Sequence, residues 1–384
     1  MLAEYAGEVN RTIYDLDQLP YRELAQANAS AVTDDVIPVI IDEYQRVPAL
    51  LDAIKARLNR ATEPGMFLLA GSSSFDSLPR GTQALTGRIQ RLPVLPLAQT
   101  EIDGTDNHFI ARAFEGDVED ATTSAVTTRF EYIDRVMRGG MPLALAQVSE
   151  SARARWFEAH IQESIRRDAG ELRRIGRTAD LRGVLRRTVG QTGSVLNISK
   201  VAEDVNPSWA TTSDYIELLE SLFLISRLPA WGVTVLPRSI EAPKVHVVDS
   251  GIGGYLLRLS TDKMKRLDPA ALTEFGHLLE SFVVQEVIRQ TTWMDAPITA
   301  GHWRTKDSTE VDLVLERHDG AVVAIEIKAA DHMPGKHLTP LKTLRDRLGS
   351  SFTAGIAFYL GSVGYKADDK IHVLPVDRLW TPEK

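Results

Sequence analysis

The sequence predicts an α/β chain in three parts: a partial parallel sheet at the amino terminus, a helical region in the middle and a second α/β domain at the carboxyl terminus. Three observations predict it. Two apolar runs, VIPVII at 36–41 and MFLLA at 66–70, flank one amphipathic helical pattern; residues 151–225 hold helical spacing almost throughout; beyond 300, short strand patterns return between two helices. The boundaries fall at 1–127, 128–237 and 238–384.

Composition sets the limits. With 384 residues, 43% hydrophobic and 25% charged, the chain is long enough for two or three cored domains. A net charge of −8 gives no overall attraction for nucleic acid, so any such contact needs a local basic patch. With no cysteine there is no disulfide, thiolate zinc site or cysteine nucleophile. No apolar run reaches membrane-spanning length and no signal-peptide core is present, so the reading is a soluble, cytoplasmic protein without a membrane partner.

In chain order, residues 1–10 suit a short helix, RTIYDL at 11–16 a strand and 21–31 a helix. The run VIPVIIDEYQRVP at 36–48 reads as a buried parallel strand ending on Asp42 and Glu43. Leu50, Leu51, Ile54 and Leu58 then recur at helical spacing before the apolar strand at 66–70, which breaks into Gly71, Ser72, Ser73 and Ser74. Strand, helix and strand make a βαβ unit with both polar tips on one edge of a parallel sheet. At such an edge Asp42 could hold the magnesium of a nucleoside triphosphate and Glu43 could polarise the attacking water. The plainer alternative is a strand that stops on two solvated acids.

RTIYDLD, VIIDEYQRVPALL, MFLLAGSSSF, ALTGRI and LPVLPL, in this order, resemble a bacterial and archaeal family of AAA+-type P-loop ATPases with a nuclease-like carboxyl-terminal domain. The resemblance implies that Asp42 and Glu43 are the Walker B pair, that Ser72 to Ser74 hold the sensor position beside the γ-phosphate, and that Arg88 reaches the nucleotide as a cation. A surface ion pair is the alternative for Arg88. One part of the pattern is missing: no G-x-x-x-x-G-K-[ST] precedes the Walker B strand, and the sole Gly-Lys pair is Gly335-Lys336. The family's helix after that loop is similar to LAEYAGEV at 2–9, so the chain reads as starting just beyond its P-loop. A misassigned start, a shortened chain and a decayed copy all explain this, and the well-kept remainder favours a missing amino-terminal segment. ATP binding is therefore expected to be weak or lost.

From 101 to 128 the composition turns to Asp, Gly, Thr and Asn, read as a surface loop closing the first domain. A helix at 130–137 and the turn RGGMP at 138–142 follow, and the family has a similar Gly-Gly-x-Pro turn. Residues 151–187 are helical, with ten arginines against five acids; a phosphate-tracking face and a solvated face with internal ion pairs both account for them. NISKVAEDVNPSWATTSDYIELLESLFLI at 197–225 has helix-turn-helix rhythm and resembles a winged helix. Its second helix carries Asp214, Glu217 and Glu220, and no Lys or Arg occurs from 201 to 226, which speaks for a structural or protein-contact role over reading bases.

In the third part, PKVHVVDSGIGGYLL at 243–257 reads as a strand and a glycine-rich turn. A helix at 276–290 carrying Glu280, strands at 302–304, 310–316 and 321–327, a helix at 338–348 and strands at 354–360 and 370–376 follow. That order resembles the core of PD-(D/E)XK nucleases. Period-2 alternation puts Glu310, Asp312, Val314 and Glu316 on one face of EVDLVLE, and Glu326 with Lys328 on one face of AIEIK. Under the resemblance, Asp312 and Glu326 are magnesium ligands, Lys328 is the catalytic cation and Glu280 is an outer ligand through water, with Gln285 and Glu286 as weaker candidates. An exposed hairpin with cross-strand salt bridges is the alternative.

The expected function is an ATP- and Mg2+-dependent AAA+-type ATPase with a nuclease-like domain that acts on or binds nucleic acid. The alternative is a non-catalytic regulatory or interaction protein with two degenerate domains. DNA or another protein is the expected partner, with assembly into homo-oligomers as a further expectation.

Overall fold

The computed structural model describes residues 2–71, 85, 87–118, 124–171, 178–205, 207–232, 242–266, 268–307 and 309–382. Backbone contacts divide the chain into two units: Met1–Val94 with Arg166–Ile175 and Ser221–Phe223, and Leu95–Ile165 with Gly176–Glu220 and Leu224–Lys384. The architecture is mixed α/β, with a parallel sheet at the amino terminus, a helical middle and a mixed sheet towards the carboxyl terminus.

In the first unit, β1 (Ile13–Asp15), β2 (Val39–Asp42) and β3 (Phe67–Leu69) form a parallel sheet with β2 at its centre. Val39, Ile40 and Ile41 are buried, as a strand covered on both faces requires. The Ala49–Arg60 helix supplies Leu50, Leu51, Ile54 and Leu58 to the same core as Val39, Ile41, Val47 and Met66. The helical stretch expected at 21–31 is two helices, Leu19–Ala27 and Ala29–Thr33. Asn28 breaks it by capping the second one, accepting the Ala31 amide at 3.3 Å.

In the second unit, residues 101–128 are not a plain loop. Helices Gln99–Asp103 and Phe109–Phe114 lie there, and Phe109, Ile110, Ala113 and Phe114 are buried, so four apolar side chains outweigh the polar composition around them. Asn107 fastens this segment by donating to the Arg378 and Thr381 carbonyls at 3.1 and 2.6 Å. Among the described residues the arginine-rich region holds the helical stretches Glu150–Glu171 and Thr178–Val189. Within it Arg182 pairs with Glu158 at 2.6 Å, an internal ion pair of the kind expected of a solvated face.

A three-stranded antiparallel sheet, in the order β4-β6-β5, joins β4 (Ser194–Val195), β5 (Ile225–Leu228) and β6 (Lys244–Val247), with helices Ile198–Val205 and Trp209–Ser221 between its first two strands. The glycine-rich segment after β6 is a helix, Ser250–Leu256, where the sequence had suggested a turn. Asp249 caps it through the Ile252 amide (3.1 Å) and also accepts the Gly140 amide (2.7 Å), pinning the Gly-Gly turn. Glycine is kept because neighbours press in: a β-carbon at Gly253 would lie 2.6 Å from Leu278.

The six-stranded sheet runs β11-β12-β10-β9-β8-β7. Strands β7 (Ile298–Arg304), β8 (Glu310–Arg317) and β9 (Val322–Lys328) form an antiparallel meander; β10 (Phe352–Tyr359) and β12 (Ile371–Pro375) join it in parallel, and β11 (Tyr365–Asp368) closes the edge. Helices Pro269–Thr291 and Thr339–Leu348 both pack on β9, which explains its nearly unbroken burial. The sequence missed β11, which carries only four residues, two of them exposed.

The two sheets meet at a seam. Beyond β5 the chain bonds to β7 on both sides of His302: His302 N donates to Pro229 O (2.9 Å) and Trp231 N to His302 O (2.7 Å). Trp231 Nε1 also donates to Glu316 at 2.7 Å. This approach requires glycine at 301, where a β-carbon would fall 2.8 Å from both the Pro229 carbonyl oxygen and Trp231 Cβ. Gly301→Ala is expected to destabilise the protein by about 1–3 kcal/mol through overpacking, seen as a lower urea midpoint at unchanged slope. A wild-type midpoint would show that the seam yields freely.

Candidate functional site

At the carboxyl ends of β1 and β2, Asp15 stands in register with Asp42. Asp42 Oδ1 accepts the Glu43 amide at 3.0 Å. Glu43 turns the chain off the strand in the left-handed region (φ 54°), uncommon for a residue with a β-carbon, and its carboxylate accepts from Gln45 Nε2. Burial, and next the charges of Glu43, Asp15 and Asp17, push Asp42 above the usual carboxylate range, while its bond to the Glu43 amide works the other way. A cation here would relieve that repulsion, so Asp42 fits a magnesium-holding role and Glu43 stands beside it. Arg88 donates to Asn59 at 2.6 Å. Asn59 is in the last turn of the Ala49–Arg60 helix, which returns the chain from the carboxyl end of β2 to the start of β3, so this anchor lies towards the edge opposite Asp42. Ser72 and Ser73 lie outside the described residues.

The second unit gathers Glu280, Asp312, Glu326 and Lys328, and adds two residues outside the sequence motif, Lys244 and Glu310. Lys244 enters from β6 with its side chain 1% exposed. Its Nζ donates to Glu280 Oε1 at 2.8 Å and Asp312 Oδ1 at 2.9 Å, and lies 2.5 Å from Glu310 Oε1. Lys328 Nζ is 2.5 Å from Glu326 Oε1 and 3.7 Å from Asp312 Oδ2. Glu326 Oε2 is buried without a hydrogen-bond partner. Gln285 and Glu286 point elsewhere: Gln285 donates to Ser226 Oγ at 2.7 Å, and buried Glu286 accepts the Gln99 amide at 3.0 Å and pairs with Arg289 at 3.7 Å.

A β-bulge builds this cluster. Between the pairs Gly301↔Val314 and Trp303↔Val311, β8 takes three residue steps against two on β7. Strict alternation along EVDLVLE therefore fails, and Val311 and Val314 share one core cluster. The β8–β9 ladder ends at Leu313↔Ile325. Past that point Asp312 Oδ2 takes the place of a ladder carbonyl and accepts the Ile327 amide at 2.9 Å, so the carboxylate is fixed where the two strands part.

Electrostatics follow from this geometry. Burial alone would lower Lys244; the charges of Asp312, Glu280 and Glu310 outweigh it and raise the ammonium well above its ordinary range. Burial likewise opposes ionisation of Asp312, yet Lys244 and Lys328 hold it below the usual value. Burial and then the Asp312 charge push Glu280 up to about 8 and raise Glu326 well above its ordinary value. Behind Lys244 on the same strand, His246 is depressed to about 3, by burial first and by Lys244 second, with Nδ1 2.9 Å from Ser281 Oγ.

As arranged, these donors do not fit a magnesium ion. The oxygens of Glu280, Glu310 and Asp312 already face the Lys244 ammonium, which takes the place between them. Among the described residues, no three His, Asp or Glu side chains form a metal shell. One signal of Lys244 was legible: in KVHV, alternation puts a lysine and a histidine on one face of an otherwise apolar strand.

Residues 2–103 match the AAA domain family, 129–263 a domain of unknown function (DUF8612) and 275–379 another (DUF4143). The first match supports an AAA-type, ATPase-like function, with which nucleotide and Mg2+ binding generally go. Uncharacterised proteins of Mycobacterium tuberculosis (strain H37Rv) and Mycobacterium bovis are each 24% identical over 347 residues, covering 89% of this chain and 69% of theirs. No solved structure matches. Lys244 belongs to the segment that matches DUF8612, while its partners belong to the segment that matches DUF4143.

Lys244→Met is expected to cost about 3–5 kcal/mol, because it leaves buried carboxylates without their counter-ion; chemical denaturation reads this, and a loss under 1 kcal/mol would contradict the pairing. The pH dependence of stability has two opposed parts. His246, depressed in the folded state, contributes stability above about pH 6.5 that is lost as pH falls towards 3, at up to about 1.4 kcal/mol per pH unit. Glu280, raised in the folded state, contributes stability present below about pH 4.5 and lost as pH rises through about 8. Denaturation of His246→Gln beside the wild type between pH 4 and 7 should give a flatter slope for the variant. Parallel curves would assign the acid sensitivity to other groups.

Proposed function

We propose that this chain is an AAA-type nucleotide-handling protein whose carboxyl-terminal unit is a nuclease-like binding module that does not cleave. The observation that carries the reading is Asp42 at the carboxyl end of the central parallel strand, within the residues that match the AAA domain family. Asp42 would hold the magnesium of a nucleoside triphosphate, and Glu43 would orient the attacking water. These 384 residues contain no G-x-x-x-x-G-K-[ST], so by themselves they supply no phosphate cradle of that kind and are expected to bind nucleotide weakly.

For the second unit, the order of a helix, a three-strand meander, a helix and a parallel strand supports a PD-(D/E)XK-like core. The two helices Ile198–Val205 and Trp209–Ser221 followed by β5 and β6 support a winged-helix-like module beside it. Lys244 among the carboxylates argues against metal-dependent cleavage and favours a regulatory or interaction role. Exposed Asp214 and Glu217 on the second helix make a protein a better-suited partner than DNA, while Glu220 is engaged with Arg227 at 2.6 Å. A second reading, a Mg2+-dependent nuclease acting on nucleic acid, has its own support: Asp312, Glu326 and Lys328 do meet.

One pair of assays separates these readings. A fluorescent ATP analogue should bind weakly and only with Mg2+, with affinity at least tenfold lower in Asp42→Asn; wild-type binding at millimolar analogue that ignores both Mg2+ and Asp42 would sink the nucleotide reading. Supercoiled plasmid should survive Mg2+ or Mn2+ with the wild-type chain. Nicking that disappears in Lys328→Ala and Asp312→Ala would replace the binding module with a nuclease.

A further inference from the structure

Arginines of the helical middle differ in how their charge is met. Arg182 and Arg187 close on Glu158 and Asp204 at 2.6 and 3.6 Å, and Arg135 holds Asp103 at 2.9 Å. Arg153 does not follow them. It is half-buried near the start of the Glu150–Glu171 helix, its side chain makes no hydrogen bond or ion pair among the described residues, and its Nε is buried without an acceptor. Arg138, at the end of the Arg129–Arg138 helix, also has a buried Nε without an acceptor, and its fork meets Asp134 Oδ2 at a long 3.4 Å.

Three helices bring these two arginines to one place. A β-carbon on Gly251, in the Ser250–Leu256 helix, would lie 2.5 Å from the Phe157 ring and 2.8 Å from the Arg138 carbonyl oxygen. The end of the Arg129–Arg138 helix therefore lies beside the face of the long helix that carries Phe157, and Arg153 is one turn earlier on that face. Burial first, and next the charge of Arg138, hold Arg153 below the ordinary guanidinium range; Asp134 and Glu150 act the other way, yet neither carboxylate closes on it. Like charges side by side in a part-buried place are unfavourable unless an anion joins them.

The side chain of Arg138 is 38% exposed, so its terminal fork is open to a ligand. Each planar fork can give two parallel N–H bonds to an oxyanion. A carboxylate has one charge and two oxygens, enough for one fork, whereas a phosphoryl dianion has three oxygens and a charge that balances both. We propose that Arg138 and Arg153 form a binding site for a phosphoryl dianion, free or as a small monoester, where the Arg129–Arg138 and Glu150–Glu171 helices meet. The site uses none of the residues assigned above to a nucleotide or to the carboxylate cluster, and it goes beyond both readings.

The test is calorimetric titration of the full chain with sodium phosphate and, separately, with ribose 5-phosphate, at constant ionic strength. Wild type should bind one equivalent, with affinity at least tenfold lower in Arg153→Gln and in Arg138→Gln, and intermediate in Arg153→Lys, which keeps the charge and loses the fork. Ribose 5-phosphate bound as tightly as phosphate or more tightly makes the ligand a monoester; weaker binding makes it the free ion. Melting temperature adds a readout that a merely structural arginine would not give. Without phosphate, Arg153→Gln should melt no lower than wild type, because a like-charge contact is removed, and only wild type should gain when phosphate is added. Absence of saturable binding by wild type at millimolar ligand overturns the proposal, as does binding that either glutamine variant retains in full. A gain in melting temperature shared by wild type and both variants is the general effect of an excluded salt and overturns it too. A glutamine variant that fails to fold by circular dichroism is replaced by the lysine variant at the same position, and undiminished binding there counts equally against the site.

Discussion

A lysine ammonium buried among three carboxylates is the interaction on which the carboxyl-terminal unit turns. Taking such charges out of water costs several kcal/mol for each ion, and the cost is recovered only where every donor meets an acceptor at close range. Lys244 meets that condition, because its three N–H groups face three carboxylate oxygens, none farther than 2.9 Å. The arrangement is close to all or nothing. Removing the ammonium leaves its acids in mutual repulsion, and removing an acid leaves a buried donor short of a partner.

The surrounding architecture serves this contact. Pairing of β7 with the chain beyond β5, made possible by the missing side chain at Gly301, brings the three-stranded sheet against the six-stranded one. The bulge in β8 turns Asp312 out of the ladder at the point where β8 and β9 part, and the Ile327 amide holds it there. Buried His246 stays neutral behind Lys244 and adds no competing charge. The segment that matches one domain family thus supplies the cation for the acids of another, and the two form one electrostatic unit.

The two acidic groupings differ in how their charge is balanced. At the carboxyl edge of the parallel sheet, Asp15, Asp42 and Glu43 lie near one another and Arg46 is engaged with Asp17 at 3.0 Å, so burial and like charge push Asp42 upwards. In the carboxyl-terminal cluster Lys244 and Lys328 provide the compensation internally. The first grouping gains from an added cation, whereas the second already contains one. This contrast is the physical basis on which a nucleotide-handling role is proposed for the amino-terminal unit and a binding role for the carboxyl-terminal one.

Local pattern made much of this legible. Apolar runs flanking one helical period gave the parallel sheet and put Asp42 at its edge, and the order of helix, meander, helix and strand anticipated the meander with its partner helices. Glu-Ile-Lys puts Glu326 and Lys328 on one face of their strand and anticipated their contact, whereas Asp312 reaches Lys328 only because it leaves the ladder where β8 and β9 part. Elsewhere composition misled. Polar residues hid the Phe109–Phe114 helix, and three glycines hid a helix whose close neighbours leave no room for β-carbons. The sequence by itself determined most of the strands, their polar tips and the acids available for a site. Which cation those acids hold was decided only by tertiary structure, because Lys244 stands 36 residues from Glu280 and 68 from Asp312 in the chain, and only the meeting of two sheets and a one-residue bulge puts their charges within 3 Å.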